Sequence, residues 1–176
     1  SGWAQNPGFI WGWGSDMEHQ LGQGGSGASV RPIRPGIGGI VTVNAGGFHN
    51  LALKSDGTFV AWGGNRDGQN CNGTLSSGSF PQPVKSLAGA LAVAGGGIHS
   101  LVLKPDGTVW ACGHNAEGQL GDGTNNYNPN PVQALGLSAV VAIAAGGTQS
   151  LALKSHVTVW AWGLNTEGHL GDGTNT

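Results

Sequence analysis

The sequence predicts an all-β protein of the β-propeller class, and three observations lead to that prediction. A block of residues recurs about every 50 positions, a period typical of repeat architectures. Each copy divides into short apolar segments separated by glycine-rich turns, and no segment shows the apolar spacing of a helix. A four-stranded unit cannot bury its apolar face alone, whereas radial stacking of such units buries it and leaves only short edges.

The repeat contains two blocks that can be aligned along the chain. The first is a Trp-Gly or Cys-Gly pair, and these pairs end at Gly14, Gly63, Gly113 and Gly163. A polar tail follows, clearest at residues 115–124 and 165–174, where it reads Asn-x-Glu-Gly-x-Leu-Gly-Asp-Gly-Thr. The second block lies upstream and reads Gly-Gly-x-His-x-Leu-x-Leu-Lys at 46–54 and 96–104, with Gln149 in place of the His in the third copy. Such long matches at one spacing indicate a true repeat.

Each complete repeat is predicted to contain four short strands. Strand one is apolar, as at residues 140–144, and strand two is the segment 100–104 and its equivalents. Strand three, at residues 108–111 or 158–162, has the β-branched and aromatic content of a strand. Strand four is the Pro-Val segment that begins at Pro83 or Pro131, and its proline indicates an edge strand.

The turn between strands two and three carries a strong hairpin signal. Asp56-Gly57 and Asp106-Gly107 are typical of a two-residue turn in which both central residues take positive φ. In the last copy His156-Val157 stands in their place. Because valine is unfavourable at positive φ, we expect this turn to differ locally from the other two.

The composition limits the classes of function. Glycine contributes 35 of 176 residues, charged residues only 9%, and the net charge is −2. The close basic pair Arg31 and Arg34 is too small a cluster for nucleic-acid binding. No run of ~18 apolar residues predicts a membrane span, and no signal peptide is visible. We therefore expect no nucleic-acid or membrane partner. A leader peptide removed earlier would put the protein outside the cell or at its surface, and otherwise it is cytoplasmic.

The two cysteines are interpreted as sequence drift. Cys71 and Cys112 each stand where other copies have a different residue, and two cysteines form neither a disulfide framework nor a metal motif.

Together, the Gly-Gly-x-His-Ser-Leu-x-Leu-Lys block, Asp-Gly-Thr-Val-Trp and the polar tail resemble the regulator of chromosome condensation repeat, over nearly the whole chain. The resemblance implies a seven-bladed propeller, and the Gly-Asp-Gly-Thr tail followed by Pro-Val is most like bacterial members. Known members include a nucleotide exchange factor for a small GTPase and inhibitors of β-lactamases, which are protein binders. Exchange activity is not expected here, because no matching insertion interrupts the repeat spacing.

The chain is predicted to be one domain of about three and a half repeats. The boundaries are 1–38 for a first repeat without strand one, 39–88, 89–138, and 139–176 for a last repeat without strand four. In this alignment residues 1–5 match strand two. Two explanations stay open: the chain is a fragment of a longer propeller, or open edges from several copies pair to complete a ring.

Histidines and acidic residues recur at repeat positions and are interpreted as structural. His49 and His99 align with Gln149, which favours a hydrogen-bonding core role over catalysis or metal binding. Asp122 and Asp172 supply one carboxylate per turn, too few for calcium. Glu117 and Glu167 lie on successive repeats and are not expected to converge as an acid–base pair. We predict no catalytic residue, no metal site and no cofactor.

We expect the tryptophans to stabilise the structure and the loops to carry the binding function. Packing between blades is predicted for Trp62, Trp110, Trp160 and Trp162. Binding is assigned to polar loops after strand three, with the candidates Arg66, Asp67, His114, Asn115 and Tyr127.

These observations predict a non-catalytic scaffold that binds an unidentified protein and self-associates into a homo-oligomer through open blade edges. The alternative is a glycan-binding or enzymatic module that uses the central channel or the loop face. Exposed aromatic and arginine anchors would favour protein binding, whereas titratable groups converging from several blades would favour catalysis.

Overall fold

The computed structural model describes residues 8–175, which form short strands and one short 3-10 helix at Lys85–Leu87. The segment 1–5, aligned above with strand two, lies outside the described residues. The strands are β1 Gly8–Phe9, β2 Gly12–Gly14, β3 Ser29–Ile33, β4 Gly38–Ala45, β5 His49–Lys54, β6 Phe59–Gly63, β7 Gly78–Pro83, β8 Ala92–Gly95, β9 His99–Leu103, β10 Val109–Gly113, β11 Asn128–Gln133, β12 Val140–Ala145, β13 Gln149–Lys154 and β14 Val159–Gly163.

The strands form successive antiparallel sheets, which we call units 1 to 4. Unit 1 is β2-β3, unit 2 is β4-β5-β6-β7, unit 3 is β8-β9-β10-β11 and unit 4 is β12-β13-β14. The short strand β1 pairs with β4 and adds a fifth strand to the sheet of unit 2, with Phe9 opposite Gly38. The predicted order of strands one to four is confirmed in units 2 and 3, which contain all four, and the proline-containing strands β7 and β11 lie at sheet edges, as predicted.

The apolar core lies between neighbouring units rather than within one. One cluster includes Leu51 and Phe59 of unit 2 with Val102 and Cys112 of unit 3. A second joins unit 3 to unit 4, and a third, smaller one joins unit 1 to unit 2. Each sheet therefore buries its apolar side chains only because another sheet stacks on it, which is the physical reason for a repeat array.

The Gly-Gly segments let the units approach closely beside strand one. Gly47 N–H donates to the Gly96 carbonyl at 2.9 Å, and Gly97 N–H donates to the Gly147 carbonyl at 3.0 Å. A Cβ on Gly47 would lie 2.7 Å from the Gly97 oxygen, closer than real side chains come. Glycine is thus required where the backbones of consecutive units touch.

The Asp-Gly turns differ from the prediction in one respect. Gly57 and Gly107 have positive φ, but the preceding aspartates do not. In the first of these turns Gly57 N–H donates to the Lys54 carbonyl, and Lys54 N–H donates to the Thr58 carbonyl. The Asp56 carboxylate accepts the Thr58 N–H at 2.9 Å, which holds the aspartate in this turn. The expectation of two residues at positive φ is therefore wrong.

The third turn also departs from expectation, because it keeps the geometry of the other two. Val157 adopts φ 63°, and its N–H donates to the Lys154 carbonyl at 2.9 Å. The register of the flanking strands, with Leu153 opposite Val159, fixes where the chain must reverse. The prediction of a locally different turn is wrong: the sheet imposes the left-handed conformation on a valine that disfavours it.

The two cysteines are bonded to each other across the interface of units 2 and 3. Cys71 lies in the loop after strand three of unit 2, and Cys112 lies on β10 of unit 3. Their Cα atoms are 5.3 Å apart, and both residues are buried. The interpretation of the cysteines as unrelated drift is therefore wrong.

Candidate functional site

The loops after strand three form one surface of the array, which we call the loop face. They comprise residues 15–28, 64–77, 114–127 and 164–175. Each loop begins where strand three ends, and in units 2 and 3 it returns to the edge strand of the same sheet. The candidate binding residues Arg66, Asp67, His114, Asn115 and Tyr127 all belong to these loops.

A buried asparagine organises the loop of unit 3. Asn115 Nδ2 donates to the Thr124 carbonyl at 3.0 Å and to Asp122 Oδ1 at 3.1 Å. Its Oδ1 accepts the Leu120 N–H at 2.9 Å. Asn65 makes the corresponding bonds in unit 2, to the Thr74 carbonyl and from Asn70. Asn115 is fully buried, so we remove it from the candidate binding residues and assign it to loop structure.

The aspartates of the Gly-Asp-Gly-Thr segments close the same loops. Asp122 Oδ1 accepts the N–H of Thr124 at 3.0 Å and its hydroxyl at 2.9 Å. Asp172 makes the same pair of bonds with Thr174. The bond from the Thr174 N–H is the main cause that lowers the pKa of the Asp172 carboxyl. These carboxylates are thus engaged in turns of their own loops.

Two side-chain contacts link the loops of neighbouring units. Arg66 donates to Glu18 Oε1 of unit 1 at 2.8 Å. Asp67 lies 3.0 Å from Nδ1 of His114 in unit 3. The Arg66 side chain is 79% exposed even though it is paired, so much of the guanidinium surface faces solvent. Partly exposed contacts of this kind contribute little to stability, so the fold does not depend on these side chains.

A shallow cleft of about 170 Å³ opens beside Arg66 and Asp67. Its apolar lining comes from Phe48 and Ile98, the variable residues of the Gly-Gly-x-His blocks, and its polar lining includes Glu18, Arg66 and Asp67. Phe48 is about half exposed, as is Tyr127 elsewhere in the loops. Sequence reasoning missed Glu18, Phe48 and Ile98. For Phe48 and Ile98 the available signal was their shared repeat position, the variable residue after Gly-Gly, which lines the cleft in the first two copies.

The recurring histidines connect one unit to the next. His49 Nε2 lies 2.7 Å from Ser100 Oγ, and the Ser100 hydroxyl donates to the Gln69 carbonyl at 2.7 Å. The serine has only one proton to give, so His49 must carry its proton on Nε2 and donate it to Ser100. Burial, and then the nearby His99, lower the pKa of His49 to about 3. The imidazole is therefore neutral at physiological pH.

The next interface repeats this arrangement. His99 Nε2 lies 3.0 Å from Ser150 Oγ, and Ser150 donates to the Gln119 carbonyl at 2.7 Å. Burial, and then His114, lower the pKa of His99 to about 4. Gln149, which occupies the histidine position in unit 4, donates to the Leu164 carbonyl at 3.4 Å.

The four tryptophans predicted to pack between units fall into two groups. Trp62 Nε1 donates to the Gln20 carbonyl at 2.8 Å, and Trp162 Nε1 donates to the Gln119 carbonyl at 2.9 Å, so both indoles join consecutive units. Trp110 is half-buried and donates to the hydroxyl of Thr108, the residue just before β10. Trp160 is exposed, with the Lys154 ammonium 5.2 Å from its ring centre.

Within residues 8–175, no group of three or more His, Cys, Asp or Glu side chains is arranged to hold a metal ion. In the same part of the chain, no helix has the length and apolar character needed to cross a membrane.

Comparison with known families gives matches over more than half of the chain. A model of the regulator of chromosome condensation (RCC1) repeat matches residues 106–153, and a second model of the same description matches 40–69 and 91–119. The chain is 33% identical over 84 residues to the RCC1 domain-containing protein RUG3, mitochondrial, of Arabidopsis thaliana. It is 39% identical over 85 residues to the human E3 ubiquitin-protein ligase HERC2. These alignments span 46% and 47% of this chain but only 19% and 2% of the relatives.

Solved structures match a larger part of the chain. Human WBSCR16 superposes with a TM-score of 0.80 at 26% identity, over 92% of this chain and 44% of that protein. Yeast RCC1 (Prp20), in its complex with Kap60, superposes with a TM-score of 0.85 at 23% identity, over 94% and 42%. The described units therefore have the RCC1-type propeller fold, and the chain spans less than half of these relatives.

Proposed function

Because this chain belongs to the family of regulator of chromosome condensation repeats, we propose that it is a non-catalytic scaffold that binds a protein through its loop face. The main support is the contrast within each loop. The buried asparagine bonds are the same in units 2 and 3, whereas the side chains held outward differ. A rigid scaffold that presents variable side chains on loops is typical of binding proteins.

The exposed residues have the chemistry of interface anchors. Arg66 lies beside Phe48 at the rim of the cleft, and Tyr127 is exposed on the loop of unit 3. Arginine and aromatic side chains carry much of the binding energy at protein interfaces. The contact of Arg66 with Glu18 would restrict the Arg66 side chain before a partner arrives, which lowers the entropic cost of binding.

Related proteins support a protein partner. Yeast RCC1 (Prp20) has been crystallised bound to Kap60, and Prp20p has been studied for its binding to Gsp1p and histones. We propose only the shared class of activity, protein binding. Both proteins are only 23% identical in sequence to the present chain, and a particular partner cannot be transferred at that level of identity.

Affinity capture with matched variants tests the proposal. The immobilised chain is compared with a loop-face variant, Phe48→Ala with Arg66→Ala, and with a control, Lys85→Ala, which removes an exposed cation from the connection after β7. We expect the native chain and the control to retain proteins that the loop-face variant does not retain. An identical set of proteins retained by all three would contradict binding through the loop face, provided that circular dichroism shows the variants folded.

The second part of the proposal is self-association through the outer face of unit 4. Leu101 and Val109 of unit 3 are completely buried by unit 4, whereas their equivalents Leu151 and Val159 are 36% and 65% exposed. The same surface thus has the composition of an interface between units and lacks a neighbour among the described residues. A further repeat unit matches this surface, because units of this chain already cover it twice, and we propose that a second copy supplies that unit.

A further inference from the structure

A glycine and a tryptophan meet at two of the interfaces between units. Gly22 of unit 1 lies against the Trp62 indole of unit 2, and a Cβ on this glycine would be 2.9 Å from Trp62 Nε1. Gly121 of unit 3 lies against Trp162 of unit 4, where an added Cβ would again be 2.9 Å from Nε1. Both glycines have positive φ, 69° and 70°. The contact therefore requires a residue without a side chain in the loop.

The interface between units 2 and 3 has exchanged both members of this pair. Cys71 stands at the glycine position and keeps the left-handed backbone, with φ 56°. Cys112 stands at the tryptophan position, and the two sulfurs are bonded. A side chain at position 71 would collide with an indole at position 112, and a cysteine at 112 opposite a glycine would leave the space of the indole unfilled. The two substitutions form one structural exchange.

The exchange also removes a hydrogen bond. In the flanking interfaces the tryptophan Nε1 donates to a loop carbonyl, that of Gln20 or Gln119. At the central interface the Gln69 carbonyl keeps only the serine donor, Ser100 Oγ at 2.7 Å, because a disulfide sulfur has no proton to donate. Without the covalent bond, this interface has neither the indole packing nor the indole hydrogen bond of its neighbours.

We propose that the Cys71–Cys112 bond replaces the glycine–tryptophan contact as the link between units 2 and 3, so that complete assembly of the array depends on thiol oxidation. Formation of the bond needs an external disulfide, protein-borne or small. Thiol–disulfide exchange then gives the Cys71–Cys112 bond and two reduced thiols of the donor, with two electrons and two protons transferred. The chain is thereby adapted to a compartment in which protein disulfides persist. This inference is independent of the proposed function.

The burial of both cysteines determines how the bond responds to reductant. Cys71 and Cys112 are closed to solvent, so a thiolate can attack only after the interface opens. The two residues are separated by 41 positions, and a cross-link closing a loop of that length shifts the unfolding equilibrium by about 100- to 1000-fold. Reduction should therefore be slow in the folded chain and should lower its stability once it occurs.

Alkylation and mass spectrometry test the bond directly. The full chain, produced in an oxidising compartment, is unfolded and alkylated with and without prior reduction. We expect no alkylated cysteine without reduction and two after it. Alkylation of both cysteines without reduction would overturn the proposal.

Unfolding of two variants tests the replacement of one contact by the other. Reductant should lower the denaturation midpoint of the native chain, and Cys71→Gly alone should unfold as early as the reduced chain. The double variant Cys71→Gly with Cys112→Trp rebuilds the glycine–tryptophan pair of the other interfaces. It should therefore be more stable than the single variant, and reductant should not change its denaturation midpoint. The proposal that the disulfide replaces the glycine–tryptophan contact would be contradicted by either of two results. One is a denaturation midpoint of the native chain that complete reduction does not change, and the other is a double variant no more stable than Cys71→Gly.

Discussion

Mild acid should destabilise the array because two buried histidines must stay neutral. His49 and His99 each donate from Nε2 to a serine of the next unit. Their pKa values are lowered from 6.5 to about 3 and about 4, mainly by burial. The unfolded chain takes up these protons below pH 6.5 and the folded chain does not. Stability is therefore complete above pH 6.5 and is lost as the pH falls toward the lowered values.

The size of the effect at pH 5 follows from the difference between this pH and the pKa of histidine in the unfolded chain. Each histidine stays largely neutral in the folded state at this pH, and each contributes a loss of about 2 kcal/mol in the free energy of unfolding relative to pH 7.5. The two together give about 4 kcal/mol. The lowered pKa values of the exposed carboxyls of Asp56, Asp106 and Asp172 act below this range, because they start from 3.8.

Urea unfolding followed by tryptophan fluorescence at pH 7.5 and pH 5.0 measures this loss. The matched control is the double variant His49→Gln with His99→Gln, which introduces the residue that unit 4 carries at Gln149. The double variant should be less stable than the native chain at pH 7.5 but should lose much less on acidification. Equal losses for the two chains, or a native chain with the same stability at both pH values, would refute the assignment of neutral buried histidines.

Three other substitutions have expected outcomes in thermal unfolding. Val157→Gly should stabilise the chain by about 1 kcal/mol, because it removes the backbone strain of a valine in the left-handed conformation. Gly96→Ala should cost about 2 kcal/mol, since its Cβ would meet the His99 ring and the Gly146 oxygen, whereas Gly27→Ala, with open space around its Cβ, should cost less. Asn115→Ala should cost about 2 kcal/mol by leaving buried loop groups unpaired. A stability change of the opposite sign in any variant, or a smaller loss for Gly96→Ala than for the other glycine-to-alanine variant, would contradict these explanations.

The strand order could be predicted from the sequence because the repeat supplies several copies of each signal. Alternating apolar segments, Asp-Gly turns and Pro-Val edges recur in step, so a weak signal in one copy is supported by the others. The turn at Val157 was predicted wrongly for the opposite reason. Local preference disfavours valine there, but the pairing of β13 with β14 fixes the turn and overrides it.

The disulfide could not be predicted from one repeat at a time. Cys71 and Cys112 occupy different repeat positions, and only the stacking of units brings those positions together. The same holds for the cleft, whose lining residues Glu18, Phe48 and Ile98 come from three units. Asn115 was assigned to the surface because polar loop residues are usually exposed. Its amide instead satisfies the loop backbone from inside.

The molar mass in solution tests most directly whether the outer face of unit 4 joins another blade. Light scattering after size-exclusion chromatography should give a multiple of the chain mass of 17.7 kDa for the native chain. Val159→Asp, which charges that face, should give the single-chain mass, and Leu91→Asp, at an exposed position just before β8 of unit 3, should not change the native result. A native chain that elutes as a folded 17.7 kDa monomer at all loading concentrations would contradict self-association through this face.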